Sequence, residues 1–352
     1  MNDNKNSINL STVAMPVLAI SAAAAFFYYI APILIPMTLA AATAYTLVPV
    51  VVFLKRFKIP HFLAVFIVML LLLGIGVILA MVLFSEIADL ARALPQYQQA
   101  ALNFFNDAKD YVSSNLSPIF GLFPEMKDFK LDPKYFSSVG QIFFKGIGSI
   151  TTIAFQGFLL FFLTYFMLSD YEMFVDKFKM LYGADKKATT SGILDEINKQ
   201  LRGFISVKVG VTIGMAIVLT VGLLIMKVPY AYIWGPLAAV LNLIPYVGAI
   251  IGAIPPIAVA GITNASIGAM IPPAILFLVV QILESNLITP KLTSDSVDLN
   301  PLAVLVSSII WGYLWGAIGV ILAVPITAAV KVVCDNVESL EPIGLLLGGR
   351  GK

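Results

Sequence analysis

Long runs without any charged residue are the feature that most constrains this chain. Residues 6–54, 228–283 and 299–330 contain no Asp, Glu, Lys or Arg. Only 12% of all residues are charged and 59% are hydrophobic, whereas soluble domains carry about 25% charged residues. Because so few charges cannot keep so much apolar surface in water, the sequence predicts an integral membrane protein that crosses the bilayer several times.

Five of the predicted spans are regular helices. About 20 apolar residues cross the hydrocarbon core as a helix, so the first charge-free run is long enough for two, with a turn at Tyr28–Pro32. The predicted helices lie near residues 12–30, 33–54, 62–84, 146–169 and 204–226.

The C-terminal half is predicted to be less regular, because its uncharged runs are rich in proline and glycine. Broken helices at membrane depth persist only when they are buried in protein or line a water-filled cavity. We interpret 231–262 as a broken or re-entrant segment, 265–288 as a span, and 299–333 as a long span or a tight hairpin. The predicted fold class is therefore an all-α, polytopic membrane protein with broken or re-entrant segments in its C-terminal half.

The charges between the spans predict an orientation. The short loop 55–58 holds three basic residues and no acid, which places it in the cytoplasm by the positive-inside rule. The N-terminus then lies inside as well. The same alternation puts 85–145 outside and 170–203 inside. Asp295 and Asp298 with one Lys291 suit an outside loop, and Lys331, Arg350 and Lys352 suit an inside tail.

This map divides the chain into three parts. Membrane helices occupy 1–84, an extracytoplasmic amphipathic helical segment occupies 85–145, and a C-terminal membrane transport region occupies 146–352. Within the last part, 170–203 is predicted to be a cytoplasmic helical pair, broken at Gly183 and Gly192.

An apolar seam runs along the outer segment. Its residues recur at alternating steps of three and four, as in a heptad pattern, and Pro95 is expected to kink or interrupt the helix. The seam either packs on its own protein or the membrane interface, or it contacts another subunit. Its short length favours the first, since coiled coils sustain about three to four heptads. The seam consists of Ile87, Leu90, Leu94, Tyr97, Ala101, Phe104, Ala108 and Tyr111.

The residues needed for common catalytic and metal chemistry are missing from the sequence. There is one cysteine, Cys334, and one histidine, His61, too few for a Cys/His metal cluster. GxSxG, HExxH and Walker motifs are absent as well. We therefore expect no enzyme activity, no cofactor and no metal site, and the net charge of +2 gives no reason to expect nucleic acid.

Glu284 is the first candidate for a functional residue. It ends a long apolar run and shares a helix face with Gln281. A carboxylate inside a membrane segment costs about 2.5–3.5 kcal/mol on insertion scales and is a functional candidate by default. Alternatively, Glu284 lies at the membrane edge, hydrated or paired with Lys291. The residues alone leave both interpretations open, and Asn286 two positions later supports the second.

A second candidate is the stretch from Asn242 through Pro245 and Tyr246 to Gly248. Pro245 removes a backbone donor, so carbonyl groups around it are candidates for binding a cation or a polar solute, as in transporters with discontinuous helices. Gly248 and Gly252 have the spacing that lets helix backbones approach closely. The alternative is a kink that serves packing alone.

At these residues the sequence resembles the autoinducer-2 exporter family of bacterial permeases. The resemblance covers nearly the whole chain in order and is strongest from Phe204 to Val330. It rests on LNLIPYVGAIIGAIPP at 241–256, QILESNLITPKL at 281–292 and VDLNPLAVLVSSIIWGYLWGAIGVILAVPITA at 297–328, with support from 40–54 and 165–170.

The resemblance implies about eight transmembrane helices in a bacterial cytoplasmic (inner) membrane, with both termini cytoplasmic. It also implies a homo-oligomer, with a pentamer as the candidate stoichiometry. One departure is visible, because many relatives have a histidine where this chain has Ser307-Ser308. The positions that the family motif carries over are Asn242, Pro245, Tyr246, Gly248, Glu284, Asn286 and Pro290.

Three functions are compatible with these features. The first is export of a small polar solute or signalling molecule, which predicts that Asn242 and Glu284 face a shared cavity. The second is sodium(lithium)–proton antiport, for which Glu284 is the candidate carboxylate. The third is a structural or regulatory membrane protein without transport, which predicts a C-terminal half packed without a cavity.

Overall fold

The computed structural model describes residues 10–115, 150–170, 173, 187–245, 247–289, 291 and 299–349. Within these residues the chain is helical and forms no strand, which confirms the all-α prediction. The helices are α1 Leu10–Tyr29, α2 Ala31–Lys55, α3 His61–Asn115, α4 Ile150–Ser169, α5 Lys187–Ile225, α6 Ala231–Leu241, α7 Gly248–Asn264, α8 Ile271–Leu283, α9 Pro301–Asp335 and α10 Glu341–Leu347.

Five helical stretches in the described part of the chain are long and apolar enough to cross a membrane, and three shorter apolar helices accompany them. The protein is therefore a polytopic membrane protein. The long stretches are Ala31–Lys55, His61–Asp107, Gln200–Ile225, Ile267–Ile288 and Pro301–Asp335, and the shorter ones are Phe155–Ser169, Ala231–Leu241 and Gly248–Asn264.

The first turn follows the prediction closely. α1 ends at Tyr29, a single turn residue follows, and α2 begins at Ala31. The carbonyl of Ile30 accepts bonds from the amides of Ile33 and Leu34 at 2.9 and 3.0 Å, so the new helix starts at once. The charge-free run and its aromatic turn were sufficient to place both helices.

α3 joins two regions that were predicted separately. The predicted third span and the amphipathic segment form a single helix of 55 residues that continues through Pro95. A proline removes one helical hydrogen bond, but the turns on both sides still pack against the protein. The predicted boundary at 84/85 thus lies inside a helix, and residues 116–149 lie outside the described part.

α5 corrects one expectation. It runs from Lys187 through Gly192 to Ile225 without interruption, so the predicted break at Gly192 is wrong. A single glycine costs about 1 kcal/mol in a helix, which is too little to end one of 39 residues. Gly183, the other predicted break, lies outside the described residues.

The helices group into two compact units. Unit 1 comprises the described residues of 1–45, 162–201 and 298–352, and unit 2 those of 46–161 and 202–297. In the described residues, each unit contains a tight hairpin of helices.

The hairpin of unit 2 consists of α6, the connection 242–247 and α7. The two arms approach closely, since a Cβ atom on Gly252 would lie 2.9 Å from the Cα atom of Ala238. This confirms the prediction of a broken segment. α6 has 11 residues and is therefore about 16 Å long, only half of the hydrocarbon thickness of about 30 Å. Its length favours the re-entrant form over a full crossing.

The hairpin of unit 1 is α9 itself. Gly316 has φ 64° and ψ −148°, a combination that residues with a side chain rarely adopt. A Cβ on Gly319 would collide with the carbonyl of Trp311, although residues eight apart in a straight helix are about 12 Å apart. The chain therefore reverses at Gly316, and of the two predicted forms of 299–333 the tight hairpin is correct. The stretch Pro301–Asp335, long enough by length alone, is thus two shorter arms rather than one straight span.

This reversal changes the predicted sidedness. The amide of Asn300 donates to the carbonyl of Leu347 at 2.9 Å, and its side chain donates to the carbonyls of Leu346 and Gly348 at 2.7 and 3.1 Å. Asn300 directly follows the loop predicted to be outside and yet lies beside the tail predicted to be inside. Those two assignments exclude each other, so one of them is wrong.

The core of unit 2 gathers α5, α6, α7 and α8, with part of α3. Leu219, Leu223 and Ala239 are fully or almost fully buried at its centre. From the seam of α3, Ile87 and Leu90 join this core. Its Tyr97 ring packs on Tyr230 with centroids 6.0 Å apart, and Phe104 lies against Gly261. This part of the seam therefore packs on its own chain.

Candidate functional site

The connection 242–247 begins where α6 ends. The carbonyls of Leu241, Ile244 and Pro245 accept bonds from the amides of Ile244, Gly248 and Val247 at 2.8, 3.1 and 2.8 Å. Carbonyl groups around Pro245 were the predicted cation ligands, and these three each accept one hydrogen bond within the turn. Because a carbonyl oxygen has two lone pairs, cation binding by this turn stays a prediction.

Gly248 explains how the second arm can start so close to the first. A Cβ atom at this position would collide with the Leu241 carbonyl. Because glycine has no side chain, the last turn of α6 and the first turn of α7 can meet there. Asn242 lies directly after this close approach and lines the cavity described next.

A cavity of about 350 Å³ opens beside this hairpin in unit 2. It lies between α5, α7 and α8, and its walls are apolar except at Asn242 and Gln281. Ligand sites typically measure about 300–1,000 Å³ and combine apolar walls with a few polar groups. The lining residues are Met215, Leu219, Ala238, Asn242, Ala249, Ile250, Ala253, Ile254, Ile257, Ala274, Phe277, Leu278, Val280 and Gln281.

The side-chain amides of Asn242 and Gln281 in the cavity wall each donate one hydrogen bond to a nearby side chain. Asn242 Nδ2 donates to the sulfur of Met215 at 3.3 Å, and a thioether is a weak acceptor. Gln281 Nε2 donates to the Ser285 hydroxyl at 3.1 Å. An oxygen of a bound solute is a better acceptor than the Met215 sulfur, so Asn242 can exchange its partner for a solute at little cost.

Glu284 is buried, with 5% of the residue exposed. Its Oε1 atom lies 3.2 Å from the Lys208 ammonium nitrogen and accepts a hydrogen bond from the Thr289 hydroxyl at 2.6 Å. Glu284 is therefore shielded from water and pairs with Lys208 rather than Lys291, while its depth in the membrane stays a prediction. Glu284 also opens a π-helical turn, Glu284–Ile288, a rare geometry that is frequent at functional sites.

The ion pair lies next to the cavity but not in its wall. Glu284 follows Gln281 by one helical turn on α8, and Lys208 precedes Met215 by about two turns on α5. Glu284 is absent from the lining of the cavity. In this cavity the polar partner of Asn242 is Gln281, so a cavity shared by Asn242 and Glu284 stays a prediction.

Other predicted positions are used within their own helices. Asn286 is exposed and donates to the Ile282 carbonyl at 3.0 Å. Ser307 and Ser308 both donate to the Val304 carbonyl, at 3.0 and 2.7 Å. Tyr246 and Pro290 lie outside the described residues.

Lys208 was missed at the sequence level. It lies 76 residues from Glu284, so no local spacing links the two. A signal was nevertheless present, since Lys208 is the one charge within the predicted span 204–226. A charged residue inside a span is rare and usually has a partner.

Comparison with known proteins agrees with this architecture. The family model described as "AI-2E family transporter" matches residues 17–339. The AI-2 transport protein TqsA of Escherichia coli is 28% identical over 338 residues, which cover 92% of each chain. A candidate transport protein of Borreliella burgdorferi is 27% identical over 321 residues, covering 89% of this chain and 84% of the relative. One from Haemophilus influenzae is 25% identical over 347 residues, or 98% of both. The chain therefore belongs to the AI-2E transporter family.

Proposed function

We propose that this membrane transporter exports a small polar solute or signalling molecule, and that the solute binds in the cavity of unit 2. The cavity carries the proposal, because it joins a broken helical hairpin to two amide side chains. Broken segments that line a binding site are a recurrent feature of transporters. A purely structural role predicted a filled C-terminal half, and the cavity speaks against it.

The size and chemistry of the cavity define the solute. A volume of about 350 Å³ is near the lower end for ligand sites, which suits a small molecule. Amides both donate and accept hydrogen bonds, whereas the apolar walls favour a compact carbon frame. The name of the Escherichia coli relative makes AI-2 the first solute to test.

Flux in proteoliposomes tests the proposal. The purified chain should accelerate AI-2 release from preloaded vesicles, and Ala253→Leu, which fills the cavity, should remove most of that release. Ala317→Leu is the matched control, since Ala317 is exposed in the other unit. Equal flux for both variants, measured at equal amounts of folded protein, would exclude this cavity as the route.

The buried carboxylate favours a second candidate, sodium(lithium)–proton antiport at Glu284. It is the one formally charged residue between 228 and 290. Sodium pulses applied to everted vesicles that contain a pH-sensitive dye should then cause proton flux that Glu284→Gln abolishes. No sodium-induced pH change in the wild type would rule the antiport out.

The setting of this activity is proposed from the family. The protein is a bacterial inner-membrane protein, and we propose that both termini are cytoplasmic and that the chain is not an enzyme. We also propose a homo-oligomer, with a pentamer as the first stoichiometry to test by mass measurement in detergent. Ile87, Leu90, Tyr97 and Phe104 of the α3 seam pack against their own chain. We therefore expect the contacts between subunits on other surfaces.

A further inference from the structure

Lys208 has no place in the solute route described above, and we propose that it is a tethered counter-ion at Glu284. Its ammonium group occupies the position that a free monovalent cation would otherwise take. The inference goes beyond solute export, and it opposes sodium–proton antiport at Glu284, because the lysine would exclude the sodium ion that such antiport must bind there.

The geometry of one oxygen atom is the first support. Glu284 Oε1 lies 3.2 Å from Lys208 Nζ and 2.6 Å from the Thr289 hydroxyl oxygen. Only 6% of the Glu284 side chain and 25% of the Lys208 side chain are exposed. The carboxylate therefore meets a cation and a hydroxyl group in surroundings with little water.

The charge pattern is the second support. Lys208 is the one charged residue in 203–226, and Glu284 is the one charged residue in 228–290. Within these two stretches each residue is thus the other's available partner, and their formal charges cancel. Few other charges are present for a chance contact. The pairing is therefore better explained by each residue neutralising the charge of the other.

Removal of one partner should expose the role of the other. A buried carboxylate without a partner is strongly unfavourable, so it must bind a proton or another cation. If Lys208 becomes apolar, the Glu284 carboxylate and the Thr289 hydroxyl remain as oxygen ligands, the type that hard cations prefer. The lysine would then be what keeps sodium away from this carboxylate.

Sodium binding to the purified full chain tests this. Thermal unfolding is followed at about pH 8, where ordinary carboxyl groups are ionised, in sodium chloride and in choline chloride of equal ionic strength. For Lys208→Met, sodium should raise the midpoint, with an apparent affinity at least about tenfold tighter than in the wild type. Lys208→Arg keeps the tethered charge and should behave as the wild type does.

Two further variants locate the effect. Lys208→Met combined with Glu284→Gln should lose the sodium response, and Lys208→Gln repeats the test if Lys208→Met does not fold. If sodium raises the unfolding midpoint of neither Lys208→Met nor Lys208→Gln, the proposal is overturned. So would a response in the wild type that Glu284→Gln removes, because sodium would then bind beside the lysine. Neither result depends on AI-2 flux, so export is judged separately.

Discussion

The two helical hairpins reach similar shapes by different means. In unit 2, six residues connect α6 to α7, and Asn242 at the start of this connection faces a cavity. In unit 1, the single residue Gly316 reverses α9, and the aromatic rings beside it are packed. The rings of Trp311 and Trp315 have centroids 4.9 Å apart, and the Trp315 indole donates to the Phe27 carbonyl at 3.1 Å.

This difference shows how function can be separated from scaffold in one chain. A one-residue reversal leaves no backbone to vary, and the rings of Trp311 and Trp315 on its N-terminal side pack on each other. The longer connection in unit 2 presents the amide of Asn242, and the small side chains of Ala249 and Ala253 on α7 leave space for the cavity beside it. The proposed function accordingly places solute binding at the hairpin of unit 2, and we propose a supporting role for that of unit 1.

The largest expected effect is a loss of stability, and it concerns the glycines at which the two arms of each hairpin come closest. Gly248→Ala and Gly319→Ala each place a methyl group against a carbonyl of the opposite arm, those of Leu241 and Trp311. Each should lower the unfolding free energy by about 1–3 kcal/mol, the usual cost of overpacking. Thermal unfolding in detergent measures this. Wild-type stability of either variant would mean that its hairpin is less closed than described.

The next effect is on AI-2 flux, and it should differ between the two hairpins. Asn242→Leu removes the polar group of the unit 2 connection and should reduce AI-2 flux about tenfold, the factor for about 1.4 kcal/mol of binding free energy. Ser307→Ala makes a similar loss of polarity in unit 1, where the hydroxyl only bonds to its own helix. Its flux should match the wild type. A larger loss for Ser307→Ala than for Asn242→Leu would reverse the assignment.

The smallest effect concerns the packed tip of unit 1. Trp315→Phe removes the indole donor to Phe27 and should cost about 0.5–1.5 kcal/mol, as for a typical hydrogen bond. Unfolding curves measure the cost, and flux per folded molecule should stay unchanged. A specific loss of flux at unchanged stability would show that this hairpin also takes part in transport.

Some of this structure was predictable because membrane helices are specified by local composition. The ends of α1 and α2 follow from the first charge-free run and the turn near Ile30. The broken segment around Pro245 was equally visible, since proline removes a donor wherever it stands. The choice between span and hairpin for α9 was not, because it depends on one dihedral angle at Gly316.

The site was predicted less completely than the fold. Asn242 and Gln281 were identified as polar residues in apolar segments, and the structure brings both to one cavity. The distance of Glu284 from that cavity and its pairing with Lys208 depend on how α5 packs against α8, which no local pattern encodes. Gly192 was overvalued as a break, and α3 continues through Pro95, which was expected to kink or interrupt it. Packing along long helices outweighs the cost of one glycine or the loss of one bond.

Thiol accessibility tests most directly whether the hairpin of unit 2, and not that of unit 1, admits an aqueous solute. Cys334, the one cysteine of the chain, is replaced by alanine, and single cysteines are introduced as Ala253→Cys in the cavity or Leu322→Cys in the packed hairpin. A small water-soluble thiol reagent should modify the first variant and not the second, and AI-2 should slow that reaction. Equal protection of both positions, or faster labelling at position 322, would contradict the assignment.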